Sequence, residues 1–289
     1  MMKQEINKYV QLTKPKVTLL NLFVGVTCFV LAAFPQVTWF KLALFCADGY
    51  LAAGGCGVFN SFYDRDIDKL MPRTSKRAIP AGQVTSNQAL ALGTAMISAS
   101  FALSYFLFNP LTLLMVILGI VFYLIIYTVW LKRISPWNVV IGGFAGCFAG
   151  LAGWTAAANT LSAMPFLIAT LDFLWTPGHL WALAIKKVRE YKNAGVPMLP
   201  VKFGVVKASH VVFGLNVLTV AFSFLIPIFN LAGIVYASVA LVAGGAFLFQ
   251  NRGLLSANQE MYGFKVFMAS MPYLACLMIG LIIDKLAVI

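Results

Sequence analysis

Long apolar stretches alternate with shorter polar segments along the whole chain. A transmembrane helix needs about 20 predominantly apolar residues, and each stretch is long enough. Helix-breaking prolines such as Pro35, Pro110 and Pro136 fall in the gaps between stretches. The pattern predicts an all-α, polytopic integral membrane protein with nine transmembrane helices around a central cavity. The predicted helices cover residues 17–34, 39–62, 88–108, 111–130, 137–156, 161–185, 209–229, 231–250 and 263–283.

The distribution of basic residues predicts how these helices are oriented. Of the 21 Lys and Arg residues, 19 lie in the N-terminal segment or in every second connection, and the exceptions are Lys41 and Lys285. By the positive-inside rule the N-terminus is cytoplasmic and the C-terminus is outside, which is the parity that nine spans require. The net charge of +12 is therefore explained by topology rather than by nucleic-acid binding.

Composition excludes an ordinary soluble protein, because 61% of the residues are hydrophobic and only 10% are charged. Soluble domains carry about 25% charged residues. Two predicted cytoplasmic connections, 63–87 and 186–208, are much longer than the others, and loops of that length in a compact protein are usually functional. We therefore expect residues 1–289 to form a single domain with these two segments as its cap.

The stretch NSFYDRDIDKLMPRTSKR, residues 60–77, brings carboxylates and cations together where the second helix leaves the membrane. Asn60, Asp64 and Asp68 recur every four residues, so on a helix they line one face, while Asp66 points roughly the opposite way. Their oxygens are hard ligands suited to Mg²⁺, which proteins usually hold with one or two carboxylates plus substrate phosphates. A salt-bridged loop that only enforces topology is the alternative, but topology does not require aspartates.

Basic residues follow the aspartates directly, at Arg73, Lys76 and Arg77. Arginine grips phosphate oxygens with paired donors. The spacing therefore favours a ligand that carries phosphate and Mg²⁺ together.

Other polar residues interrupt the apolar stretches singly. His179 follows a Pro-Gly break, and it either ligates iron, acts as an acid or base, or hydrogen-bonds a neighbouring helix. Asp172 lies two helical turns earlier on the same face, and Asp48 has no motif around it. For each of them there are two interpretations, a neutral acid hydrogen-bonded between helices or a residue of a pocket. Lys14 is placed to reach phosphates or to extend toward lipid headgroups.

Two segments resemble known families. The stretch 60–77 resembles the first aspartate-rich motif of the UbiA-type intramembrane prenyltransferases. The stretch FLWTPGHLWALAIKKVREYKNAGVPMLPV, residues 173–201, is similar to one branch of them, the protoheme IX farnesyltransferases or heme O synthases. The likeness extends along the chain and includes LTKPKVTLLNL at residues 12–22.

The resemblance implies an enzyme that transfers a farnesyl group from farnesyl diphosphate to a vinyl group of heme B, with addition of water, to give heme O. It implies Mg²⁺ as cofactor. Asn60, Asp64 and Asp68 would hold the Mg²⁺-diphosphate, and Asp64 and Asp68 would act in catalysis. Arg73 and Arg77 would neutralise the leaving group.

The chain departs from the wider superfamily in its second cap segment. Most members have a second aspartate pair there, and this chain has Lys187 and Tyr191 in its place. We expect this segment to be a basic and aromatic clamp on the diphosphate, formed by Lys186, Lys187, Arg189 and Tyr191. The resemblance also points to Asp172, His179 and Asn21 as residues of the acceptor pocket, with His179 catalytic.

Two further expectations follow from the resemblance. The enzyme would lie in the cell (plasma or inner) membrane, with its active-site loops on the cytoplasmic side. It would also work with terminal-oxidase assembly machinery.

Rival functions stay open at this point. A prenyltransferase with a quinone precursor or lipid as acceptor would use the same aspartates. A cation transporter would use Asp64 and Asp68 as an ion site, although transporters usually place such sites near the membrane midplane. A heme-binding assembly factor would need His179 but not the aspartates.

Overall fold

The computed structural model describes residues 2–287, with side chains from Glu5 onward, and this part of the chain is α-helical without strands. The side chain of Lys3, one of the N-terminal basic residues, lies outside the described part. The helices, in chain order, are α1 Met2–Leu12, α2 Pro15–Ala33, α3 Trp39–Tyr63, α4 Arg65–Leu70, α5 Ser86–Leu103, α6 Pro110–Ile120, α7 Asn138–Gly142, α8 Phe144–Ala158, α9 Ala163–Lys186, α10 Val188–Asn193, α11 Leu199–Phe203, α12 Val205–Ser223, α13 Leu225–Ile228, α14 Ile234–Asn251 and α15 Gln259–Ala287.

Two of the long helices end in wider turns. The helix that begins as α5 continues as a π-helix over Ser104–Phe108, and α6 continues as a π-helix over Val121–Trp130. A short 3₁₀ turn, Leu131–Arg133, follows the second. Such π segments are rare and occur frequently at functional sites.

The helices lie where the apolar pattern predicts them, within a few residues at each end, and the all-α membrane fold is confirmed. Within the described residues, eight helical segments are long and apolar enough to cross a membrane. Helix α9 has 24 residues but is not among them, since Asp172, Pro177 and His179 interrupt its apolar surface. The nine-span count and the orientation of the termini therefore stay predictions.

Local sequence explains where several helices begin. Thr85 and Gln88 form a reciprocal capping box at the start of α5. Asn109 accepts from the Thr112 N–H at 2.8 Å, and Pro110 occupies the first turn of α6, where its missing N–H is tolerated. The predicted break at residues 109–110 is thus a helix start with a defined cap.

Close packing between α2 and α8 depends on glycine. A β-carbon on Gly153 would collide with the backbone oxygen of Gly25. Small residues at helix crossings let two backbones approach, which gives van der Waals packing in a membrane.

Helix α14 is tied to α15 differently, since Asp284 accepts from the backbone N–H of Gly233 at 2.6 Å and of Tyr236 at 3.0 Å.

Candidate active site

The three predicted metal ligands lie at the junction of α3 and α4. Hydrogen bonds continue across it with helical spacing, from Asp64 N–H to Asn60 O at 2.9 Å and from Asp68 N–H to Asp64 O at 2.8 Å. The helical register therefore holds, and all three side chains are buried, with 1–2% exposure. Asp66 faces away and forms a two-pronged ion pair with Arg133 at 2.7 Å. This ion pair holds the pKa of Asp66 down at about 2.

Both buried carboxylates are paired with cations. Arg77 donates to Asp68 Oδ2 at 2.8 Å, and Lys132 pairs with Asp64 Oδ2. Arg77 is among the phosphate-binding cations that the sequence predicts, whereas Lys132 enters that prediction only as a topology signal. Lys132 comes from the far end of α6, and no local pattern distinguishes it from other basic residues that follow a membrane helix.

Lys14 completes the cluster from the joint between α1 and α2. Its backbone is left-handed (φ 50°, ψ 59°), a rare conformation outside glycine, and its Nζ donates to Asn60 Oδ1. Burial, together with the charges of Arg77 and Lys132, lowers the pKa of Lys14 to about 7, and the nearby aspartates oppose this shift. Lys14 therefore faces the site rather than lipid headgroups.

Two more contacts fix this arrangement. Asn60 Nδ2 donates to Thr128 Oγ1 at 2.9 Å, which ties the ligand face to the π-helical end of α6. On α3, a β-carbon on Gly57 would lie 3.0 Å from Thr13 O, so glycine lets the α1–α2 joint approach closely. Thr128 was not identifiable from the sequence, because its role depends on a helix that meets α3 only in the fold.

The residues present fit a hard divalent cation. Asp64 Oδ1 is buried and has no hydrogen-bond partner among the residues that the structure describes. Leaving a buried carboxylate oxygen unpaired is unfavourable unless a ligand completes it. Across residues 2–287 no three His, Cys, Asp or Glu side chains gather into a metal cluster. The donor set is therefore two carboxylates and one amide, which is sparse for a resident metal and typical of Mg²⁺ that arrives with phosphates.

The second cap segment contributes Tyr191 to this cluster. Tyr191 is buried, at 8% exposure. Burial raises the pKa of its phenol, and the charges of Arg73, Lys132 and Arg77 oppose that rise. The two long connections also contribute to one apolar core, with Ile67 and Met71 from the first and Tyr191 and Val196 from the second.

The other predicted members of the clamp are not brought to the cluster. Lys187 pairs with Glu190 at 2.7 Å within its own segment. Lys186 and Arg189 are exposed, and Lys186 lines a separate shallow pocket beside Asn258. Their part in diphosphate binding stays a prediction.

An apolar cavity leads away from the cluster between α2, α3, α6 and α8. Its volume is ≈ 110 Å³, or ≈ 840 Å³ when the space open to its surroundings is counted. Lys14 and Tyr123 line one end, and Phe45 and Asp48 line the other. The predicted cavity thus exists, but four helices line it rather than all of them, because the later helices pack around one large apolar core.

Two of the predicted acceptor residues lie beside this cavity. Asn21 lines it from α2. A β-carbon on Gly146 would lie 4.0 Å from Asn21 Oδ1 and would collide with Asp172 Oδ2, so both polar groups flank the same glycine. Asp172 is 3% exposed, which places a carboxyl group and an amide together next to apolar space.

His179 lies elsewhere, between α9 and α15, and is not a lining residue of the cavity. Its ring stacks between Trp175 at 4.3 Å and Phe267 at 4.4 Å. Ser270 Oγ donates to Phe267 O at 2.8 Å and lies 2.6 Å from His179 Nδ1. Nδ1 is therefore engaged with Ser270, and which of the two atoms donates depends on the imidazole tautomer.

Comparison with known proteins agrees with this geometry. Residues 20–271 match the UbiA prenyltransferase family. The chain is 39% identical to protoheme IX farnesyltransferase 1 of Cenarchaeum symbiosum, across 95% of this chain and 94% of that relative.

Solved structures share the fold. One solved structure concerns digeranylgeranylglyceryl phosphate synthase in membranes. It matches 98% of this chain and 99% of its own length, with a TM-score of 0.80 and 20% sequence identity. A UbiA homolog from Archaeoglobus fulgidus bound to GPP and Mg²⁺ matches 95% of this chain and 99% of its own, with a TM-score of 0.71 and 18% identity.

Proposed function

This chain belongs to the UbiA prenyltransferase family, and we propose that it transfers a farnesyl group from farnesyl diphosphate to a vinyl group of heme B. Water adds to the same vinyl group, and the product is heme O. The observation that carries the proposal is the buried cluster of carboxylates and cations at the mouth of an apolar cavity. The protoheme IX farnesyltransferase relatives support the choice of donor and acceptor.

Asn60, Asp64 and Asp68 would hold Mg²⁺ together with the diphosphate. The unpartnered oxygen of Asp64 supports this role, as does the homolog bound to GPP and Mg²⁺. When bound, the metal ion would supply positive charge to the departing diphosphate. The chain's own contribution is to present these oxygens on one buried helix face.

The surrounding cations would bind the diphosphate oxygens. Lys14, Lys132 and Arg77 each contact a ligand residue, and Arg73, which is exposed, would join them when the diphosphate binds. Negative charge develops on the diphosphate as the carbon–oxygen bond breaks, and cations that are already in position stabilise it. The Tyr191 hydroxyl would donate a further hydrogen bond to the diphosphate.

The apolar cavity would hold the prenyl chain and keep water from the allylic cation. Asn21 and Asp172 would contact the acceptor, because they bring polar atoms to the side of this cavity. His179 stays a candidate acceptor residue, as an iron ligand through Nε2 or as an acid or base. Either role requires the heme to reach the space between α9 and α15.

We further infer that residues 1–289 work as one domain, with segments 63–87 and 186–208 as its cap on the cytoplasmic side of the plasma or inner membrane. Heme O would then pass to terminal-oxidase assembly machinery.

A prenyltransferase with a quinone precursor or lipid as acceptor is the alternative that keeps the same chemistry. A cation transporter is less consistent with the site, because three cations surround the two carboxylates and would repel a bare divalent ion.

The test is product analysis by mass spectrometry with purified protein, heme B, farnesyl diphosphate and Mg²⁺. We expect a heme product that has gained one farnesyl group and water. Asp64→Ala should abolish it, whereas the matched control Asp66→Ala, two residues away and outside the cluster, should keep it. Diphosphate release without a heme product would keep prenyl transfer and exclude heme as the acceptor. No product and no diphosphate release from folded protein would overturn the proposal.

A further inference from the structure

The depth of the cavity can be read from the residues that line it along α3. Lining positions run from Gly57, one turn from Asn60, to Phe45 at the opposite end. Twelve residues of α-helix span about 18 Å. The twelve-carbon main chain of an extended farnesyl group measures about 14 Å. The span exceeds the farnesyl chain by about 4 Å, and a fourth isoprene unit would add about 5 Å, so the cavity has room for three units and ends before a fourth is complete.

The end of the cavity is a fixed aromatic ring. Phe45 is 3% exposed; its ring stacks on Phe29 at 5.6 Å and meets Phe108 edge-on at 6.4 Å. A β-carbon on Gly25 would lie 3.0 Å from the Phe45 ring, so the backbone of α2 presses on it as well. A ring held from several sides has little freedom to move out of the way of a longer chain.

A polar clamp holds the same end of the cavity in place. Asp48, one turn from Phe45, accepts from Ser104 Oγ at 2.6 Å and also from Ser100 Oγ. Both serines lie on the helix that begins as α5, so the carboxyl group fastens this helix to α3. Its hydrogen bonds are satisfied inside the protein, which makes the clamp stable in apolar surroundings.

We propose that Phe45 sets the length of the prenyl chain by closing the cavity after three isoprene units. This inference rests on the proposed prenyl transfer and adds the residue that determines donor specificity. Removing the ring extends the cavity toward Phe29 and Phe108. Filling the cavity nearer its mouth shortens it.

The experiment is a competition assay with heme B and equal amounts of geranyl, farnesyl and geranylgeranyl diphosphate. Products are quantified by mass spectrometry. Phe45→Ala should raise the ratio of geranylgeranyl to farnesyl product by at least about tenfold. Gly49→Leu fills a position about 12 Å from Gly57, and it should move the preference toward the geranyl product.

Phe247→Ala is the matched control. Phe247 is 2% exposed and stacks on Tyr273 at 4.8 Å, so the substitution removes an equally buried ring. This ring lies in the large apolar core of the later helices and does not line the cavity. Its product ratio should equal that of the wild type.

Each outcome has a separate meaning. If the wild type prenylates heme but the product ratios of the variants stay within twofold of the wild-type ratios, the inference is overturned. The proposed function then stays intact. A folded wild type that makes no product from any donor overturns both. If Phe45→Ala does not fold, Phe45→Leu and Gly49→Leu decide, and unchanged ratios in both overturn the inference.

Discussion

The pair between Lys132 and Asp64 shows how a buried charge cluster is stabilised before substrate binds. The two side chains are 12% and 1% exposed. Lys132→Met would leave both oxygens of Asp64 without a partner, since Oδ1 already has none. Removing one member of a buried pair typically costs about 3–5 kcal/mol, and we expect a loss of that size in the free energy of unfolding.

Removing the charge of Asp64 instead of Lys132 should lower the free energy of unfolding by less. In Asp64→Asn the remaining lysine can extend its flexible stem toward water, so we expect a loss of about 1–2 kcal/mol. The double variant removes both charges and should return close to wild-type stability, because replacing a buried ion pair with neutral groups is often nearly neutral. The two single losses together with a double variant near wild type would give a coupling free energy of about 4 kcal/mol or more.

The measurements are denaturant unfolding of protein in detergent, followed by tryptophan fluorescence, and prenyl transfer by mass spectrometry. Arg133→Met is the control, because it breaks the neighbouring ion pair to Asp66, which is exposed and should contribute at most about 1 kcal/mol. Additive losses in the double variant would refute the pairing. Recovered prenyl transfer in the double variant would refute the proposed catalytic role of Asp64.

Three further predictions concern other parts of the molecule. Asp284→Ala removes the side chain that caps the start of α14, so it should cost about 1 kcal/mol in thermal unfolding while prenyl transfer persists; an unchanged melting temperature would contradict the cap. Arg133 depresses the pKa of Asp66 to about 2, so the small stability that this pair contributes is present above pH ~4 and lost as pH falls toward 2. Melting curves of wild type and Asp66→Asn should accordingly differ slightly at pH 7 and converge at pH 2, and a gap that widens in acid would contradict this sign. His179→Gln should change the Soret band of bound heme if Nε2 ligates iron, whereas a slower reaction with an unchanged spectrum would indicate acid–base chemistry instead.

Contacts between residues close together in the sequence could be predicted, whereas contacts between residues far apart in it could not. The period of four that joins Asn60, Asp64 and Asp68 is a property of one helix, and the structure keeps it across the junction with α4. The start of α6 at Pro110 is likewise local. Lys132 could not be assigned, because its partner is 68 positions away and only the packing of α6 against α3 brings them together.

The second half of the chain shows the opposite problem. Its motif residues stand out in the sequence, yet the structure distributes them over several surroundings. Tyr191 joins the cluster, Lys187 pairs with Glu190, and His179 stacks between aromatic rings. A motif records which residues occur together along the chain, whereas contact depends on which way each short cap helix turns, and that is decided by tertiary packing.

The charges of the cluster predict the order in which its ligands bind. Asp64 and Asp68 oppose Lys14, Lys132 and Arg77, so the site without substrate carries a charge between 0 and +1, since burial lowers the pKa of Lys14 to about 7. Adding Mg²⁺ alone would raise the site charge to between +2 and +3 in a buried setting, whereas a diphosphate brings roughly three negative charges at pH 7 and restores balance. We therefore expect no rise in melting temperature with Mg²⁺ alone, and a clear rise with Mg²⁺ and inorganic diphosphate together, which Asp64→Ala should remove. The contrary result would be a rise in melting temperature with Mg²⁺ alone that Ca²⁺ or NaCl at equal ionic strength does not produce. It would mean that the aspartates bind the metal first and that the lysines leave them before substrate arrives.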